Sequence, residues 1–112
     1  MPAKLSTHVL DTAHGCPAAG LKVELWSLNG KTRTLVTTAR TNADGRTDNP
    51  MAEILSAGMY ELIFSVAPYF AAKNVSAFYD EITIRFHVDN AARKYHVPLL
   101  LAPWGYSTYR GS

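Results

Sequence analysis

Hydrophobic and polar positions alternate along most of this chain, and the alternation breaks at residues that make turns. "LSTHVL" puts Leu5, Thr7 and Val9 on one face and Ser6, His8 and Leu10 on the other, the two-residue period of a β-strand. "LKVELWSL" sets Leu21, Val23 and Leu25 against Lys22, Glu24 and Trp26, and Asn29-Gly30 follows at once as a hairpin signal. The threonine-rich "TRTLVTTART" reads as the return strand, ending near a second turn at Asp44-Gly45. "MYELIFSV" and "EITIRFHV" predict two more strands, burying Tyr60, Leu62, Phe64 and Val66, then Ile82, Ile84, Phe86 and Val88. Between them "APYFAAKNVSAF" predicts one short helix with Pro68 in its first turn. "KYHVPLLLA" and "WGYSTYR" predict the last two strands, separated by Pro103.

Seven or eight short strands with frequent turns and one short helix predict an all-β chain folded as a two-sheet β-sandwich. A length of 112 residues fits one domain, 1–112, with room for a real core. No internal repeat, linker or low-complexity tract interrupts it.

Three strands share an oddity on their second face. The first carries Ser6, His8 and Leu10 there. "KYHVPLLLA" carries Lys94, His96, Pro98 and Leu100, opposite the core-like Tyr95, Val97, Leu99 and Leu101. The last carries Gly105, Ser107 and Tyr109, opposite Trp104, Tyr106 and Thr108. Solvent favours lysine and glutamate on such faces; a semi-apolar mixture with two histidines and a tyrosine suggests cover by a partner subunit. Pro98 in mid-strand points to an edge strand or a bulge.

Composition narrows the function. Hydrophobic residues at 47% and charged residues at 18% describe a globular protein rather than a disordered one. A net charge of +2 without a lysine/arginine cluster makes nucleic acid a poor partner and is compatible with a small anionic substrate. The single cysteine, Cys16, has no internal disulfide partner, which favours a reducing compartment. No apolar signal region opens the sequence and no run reaches the length of a membrane span, so the expected location is cytoplasmic, away from membranes.

Taken singly, the chemistry-bearing residues have ordinary explanations. A strand histidine is more often a surface or hydrogen-bonded residue than a catalyst. His14 sits in the turn "AHGCPA" and His87 beside Arg85; the four histidines show no metal-binding spacing, so no metal is expected. Cys16 has no nearby base in sequence. Arg46 can be a solvated turn residue, and Tyr109 and Arg110 a frayed tail.

Three segments outweigh these explanations. "LSTHVLDTAHGCPA", "TNADGRTD" and "YHVPLLLAPWGYSTYRGS" resemble the signature segments of the 5-hydroxyisourate hydrolases, the transthyretin-like enzymes of urate degradation, and the likeness runs over residues 5–112. The C-terminal Tyr-Arg-Gly-Ser is the most specific mark, because it separates these enzymes from the transthyretin hormone carriers of the same fold. The resemblance implies an eight-stranded transthyretin-like sandwich with a short helix. It also implies a homotetramer built from two edge-paired dimers, with active sites in the channel between dimers. His8, Arg46, His96 and the tail from Tyr109 to Ser112 match the positions that the family uses. The implied reaction opens the cyclic amide of 5-hydroxyisourate to 2-oxo-4-hydroxy-4-carboxy-5-ureidoimidazoline, without metal or cofactor. His8 and His96 would handle protons, Arg46 would bind the substrate's carbonyl oxygens, Tyr109 would stack on or hydrogen-bond the flat ring, and Arg110 and Ser112 would complete the polar wall, Ser112 counting with His8, Arg46 and His96 as catalytic. Two other readings stay open: a carrier that holds a hydrophobic ligand in the same channel, and a sandwich module with no small-molecule site.

Overall fold

The computed structural model describes residues 3–89 and 93–111. Ser112, assigned a catalytic role by the resemblance, lies outside the described residues. Two sheets face each other across one core. In the first, β1 (Ala3–Asp11) lies between the two-residue β2 (Cys16–Pro17) and β8 (Tyr95–Ala102), which in turn pairs with β9 (Gly105–Thr108). The short β5 (Ala52–Leu55) pairs with the start of β1. In the second sheet the order is β4 (Thr32–Arg40), β3 (Lys22–Asn29), β6 (Gly58–Ser65), β7 (Glu81–Val88), all antiparallel. The helix α1 (Val66–Ala71) crosses from β6 towards β7.

The core is the set that alternation selects. Leu5, Val9, Leu21, Val23, Leu25, Leu62, Phe64, Leu99 and Leu101 are all fully buried. Asp11, also buried, occupies the last inward position of β1. It accepts hydrogen bonds from the backbone N–H groups of Ala13 and His14, from His14 Nδ1 and from the Tyr69 hydroxyl. Burial alone would raise its pKa; those donors outweigh burial and hold it below the ordinary value. One carboxylate thus ties the end of β1 to its turn and to α1.

Several sequence expectations are corrected. The helix covers six residues, not the whole of 67–78, because the chain turns at 72–74 and Asn74 adopts a left-handed φ of 60°. The β3–β4 loop is Gly30-Lys31, one residue beyond the predicted pair, since Asn29 pairs with Thr32 and Gly30 takes φ 62°. Strands β2 and β5 are too short to show a period. Ile84 and Phe86 are half-buried, because β7 is the edge strand of its sheet and its inward side faces a groove.

The last strand stops at Thr108. Trp104 belongs to the turn and is 72% exposed, stacked on Phe78 at 5.7 Å; Tyr106 is also exposed, though it packs edge-to-face on Tyr79 at 5.4 Å, because an edge strand covers only one side of such rings. Pro98, expected at an edge or bulge, sits in β8 between two neighbours. Residue i and residue i+2 of a strand direct their backbone groups to the same side, and Pro98 and His96 both present carbonyls to the C-terminal segment, accepting from Thr108 Oγ1 at 2.7 Å and from Gly111 N at 2.7 Å. The absent N–H of Pro98 therefore falls opposite Tyr109 and Arg110, where β9 has ended and the tail has not yet rejoined β8.

Candidate active site

Three of the predicted residues converge on the outer face of the first sheet. The parallel register of β1 and β8 pairs Ser6 with His96 and His8 with Pro98, so Ser6, His8 and His96 share that face. Arg46 arrives from the 42–46 loop and bridges to His8 across backbone. The loop is fixed from within: Asn42 Oδ1 accepts from Asp44 N at 2.9 Å and Arg46 N at 3.2 Å, while Asn42 N donates to Arg46 O at 2.7 Å.

Gly45 docks this loop. It adopts φ 77°, its carbonyl accepts from Val9 N at 2.8 Å, and a Cβ in its place would stand 2.3 Å from Val9 O. Only glycine allows that approach. The neighbouring Asp44 carbonyl consequently reaches His8 Nε2 at 2.8 Å. A carbonyl only accepts, so Nε2 carries the proton and Nδ1 of a neutral His8 presents its lone pair.

His96 is half-buried. Ser6 Oγ lies 2.8 Å from its Nδ1, and Gly111 pairs with it through backbone. Burial, then the Arg46 charge, then His8 push the His96 pKa below its ordinary value, so the ring is neutral at pH 7. Beside it opens a cavity of about 400 Å³ lined by Lys4, Ser6, Arg46, Pro50, Lys94, Tyr95 and His96, with cations and no carboxylate among the lining residues. The Arg46 guanidinium is exposed and engages no carboxylate among the described residues. Such a site offers a neutral base, a second imidazole and an unspent planar cation to a small electron-rich ligand.

Tyr109 and Arg110 are not among the residues that line this cavity. They line a separate groove of about 220 Å³ with Ile84, Phe86, Tyr95 and Val97, at the rim between the two sheets. Arg110 lies over the Tyr95 ring at 4.6 Å. Continuous strand pairing ends with β9, and the tail reaches the site through Gly111, which bridges to His96 in the register of Thr108 with Leu99. The sequence marked Gly45 as a turn residue but not its docking against Val9 O, and it gave no role to Ser6 or Asn42. Ser6 could have been found from its place two residues before His8 on the same face; the other two depend on how the loop folds.

The histidine His14, bound to Asp11, and the exposed Cys16 lie at the β1–β2 turn, and no group of three histidine, cysteine, aspartate or glutamate side chains with metal-holding geometry occurs among the described residues. No helix among them is long and apolar enough to cross a membrane.

The fold and the sequence both have close counterparts. Residues 5–111 match the model of the HIUase/Transthyretin family. A 5-hydroxyisourate hydrolase of Deinococcus radiodurans is 55% identical over 113 residues, covering 96% of this chain and 95% of the relative. The solved 5-hydroxyisourate hydrolase of Klebsiella pneumoniae superposes with a TM-score of 0.85 at 37% identity, over 98% of this chain and 94% of that one. Sea bream transthyretin, solved with thyroxine, gives a TM-score of 0.90 at 25% identity over 96% and 94% of the two chains. With its transthyretin-type sandwich and near full-length identity to these enzymes, the chain belongs to the HIUase/Transthyretin family.

Proposed function

We propose that this chain hydrolyses 5-hydroxyisourate to 2-oxo-4-hydroxy-4-carboxy-5-ureidoimidazoline, as a step of urate degradation. The observation that carries the reading is the convergence of His8, Arg46 and His96 on one sheet face, with Arg46 and His96 lining a cationic cavity, in a chain 55% identical to a 5-hydroxyisourate hydrolase. His8 Nδ1 takes a proton from water as the water oxygen attacks the ring carbonyl carbon. Arg46 donates to that carbonyl oxygen as it gains negative charge. The carbon–nitrogen bond of the ring then breaks, and the departing nitrogen receives a proton relayed through the histidines, leaving a carboxylate. A neutral His96 suits the relay, because a permanently charged ring could not accept.

The active form in this reading is a homotetramer, a dimer of dimers formed by one domain. The outer edges of β7 and β9, unpaired among the described residues, are suited to edge-to-edge pairing, and the half-buried Leu10 and Leu100 on the His8 face suit a second contact. The catalytic role of Ser112 and the substrate contacts of Tyr109 and Arg110 belong to the same proposal, those two reaching substrate through the assembly. No metal or cofactor is invoked. A cytoplasmic location accords with the free thiol of Cys16. A carrier of apolar ligands is disfavoured by the two histidines on this face and by the lysines and arginine lining the cavity.

The test generates 5-hydroxyisourate in situ with uricase and follows its absorbance. The parent protein should accelerate its decay, and His8→Ala should lower kcat by about 10²- to 10⁴-fold without unfolding, since His8 lies outside the core. Parental turnover in His8→Ala would sink its role as base; no turnover by the parent would sink the hydrolase reading.

A further inference from the structure

Ser6 and His96 lie far apart in sequence, yet the β1–β8 register places them side by side on the outer face. Ser6 Oγ sits 2.8 Å from His96 Nδ1, and its hydroxyl makes no other hydrogen bond among the described residues. The opposite edge of the ring is closed by Gly111. A Cβ there would stand 2.6 Å from His96 Cδ2 and 3.2 Å from its Cβ and Cγ, and Gly111 N donates to His96 O at 2.7 Å. The imidazole is thus held between a hydroxyl and a residue with no side chain.

A neutral imidazole has two proton positions, and the partner of one nitrogen decides the state of the other. We infer that Ser6 is a positioning residue for the hydrolysis: its hydroxyl occupies Nδ1 of His96, so that Nε2 alone exchanges protons with substrate, while Gly111 fixes the plane of the ring. This inference rests on the hydrolase reading above. It assigns the tail a task beyond lining the site, because Gly111 braces a ring that β8 provides. Ser6 has no part in the core, where Leu5 and Thr7 on either side of it are buried; its hydroxyl is dispensable for packing.

The full-length protein carrying ¹⁵N-histidine tests it, by two-bond ¹H–¹⁵N spectra at pH 8 together with steady-state kinetics. In the parent, the His96 nitrogens should show a single tautomer. Ser6→Ala should average the two nitrogen shifts, lower kcat by about 10- to 100-fold and leave KM within about twofold, because the ring loses its orientation and not its substrate contacts. Ser6→Thr, which keeps the hydroxyl, should restore both the spectrum and kcat. A single unchanged tautomer in Ser6→Ala overturns the inference, whatever happens to kcat. So does parental kcat in that variant. A parent with the expected spectrum but no turnover refutes the hydrolase reading instead, and the two failures are distinguishable.

Discussion

Replacing Gly45 by alanine would test how the fold builds the site. Alanine in a left-handed conformation costs about 1–2 kcal/mol, and here the new Cβ would also stand 2.3 Å from Val9 O and 3.1 Å from Pro17 Cβ. Val9 O cannot retreat, since Val9 is fully buried and its carbonyl already accepts from Ala18 N at 2.9 Å. The 42–46 loop must therefore move by about 1 Å to restore ordinary contact, weakening the Val9 N to Gly45 O bond, worth about 1 kcal/mol. The sum is about 2–3 kcal/mol, which should lower the urea midpoint by about 1–2 M at fixed protein concentration. The same movement draws the Asp44 carbonyl from His8 and displaces Arg46, and a misplacement of about 1 Å can cost about 100-fold in rate. Gly30→Ala is the control: Gly30 also has a positive φ, of 62°, but nothing lies within 4 Å of its Cβ position. That variant should lose some stability and keep parental kcat. Parental midpoint and kcat in Gly45→Ala would refute the docking of the loop as the source of the site's geometry.

Three further outcomes are expected. Arg46→Lys keeps the charge and loses the planar fork, so kcat/KM on freshly generated 5-hydroxyisourate should fall at least about tenfold; equal activity would reduce Arg46 to general attraction. Asp11→Asn should destabilise the protein by about 3 kcal/mol in urea titration, as the buried charge that gathers Tyr69 and His14 is lost. Because the Asp11 pKa is depressed on folding, its contribution is complete above the ordinary value of 3.8 and is lost as pH falls through the lower folded value; the parent's stability should therefore drop in that acid window and the drop should shrink in Asp11→Asn. Removing residues 109–112 should abolish most hydrolysis while sedimentation still reports about four subunits, and retained activity would remove the tail from the site.

Alternation was enough to choose the inside of this protein. Leu5, Thr7, Val9, Val23, Leu25, Leu62, Phe64, Leu99 and Leu101 are buried where a two-residue period puts them, because a strand with one buried face fixes its register by which side chains water rejects. The turn residues marked the hairpin and the Asp44-Gly45 loop for a similar local reason: glycine adopts the positive φ that these turns need. Even the face carrying His8 and His96 was legible as one that solvent alone would not select.

Long-range placement was not legible in those periods. That β1 runs parallel to β8, setting Ser6 beside His96, depends on how two strands meet across a sandwich, and no residue near either one records it. Arg46 reaches His8 because Gly45 fits against Val9 O, a contact that exists only once β1 is in place. The chain's end is a similar case. Thr108 is the last residue to pair in β9, and the single bridge from Gly111 to His96 keeps the register of Thr108 with Leu99, so the tail meets β8 again at Gly111. That return depends on the hydrogen bond from Gly111 N to His96 O and on a glycine lying against the imidazole, contacts that exist only once β8 is in place.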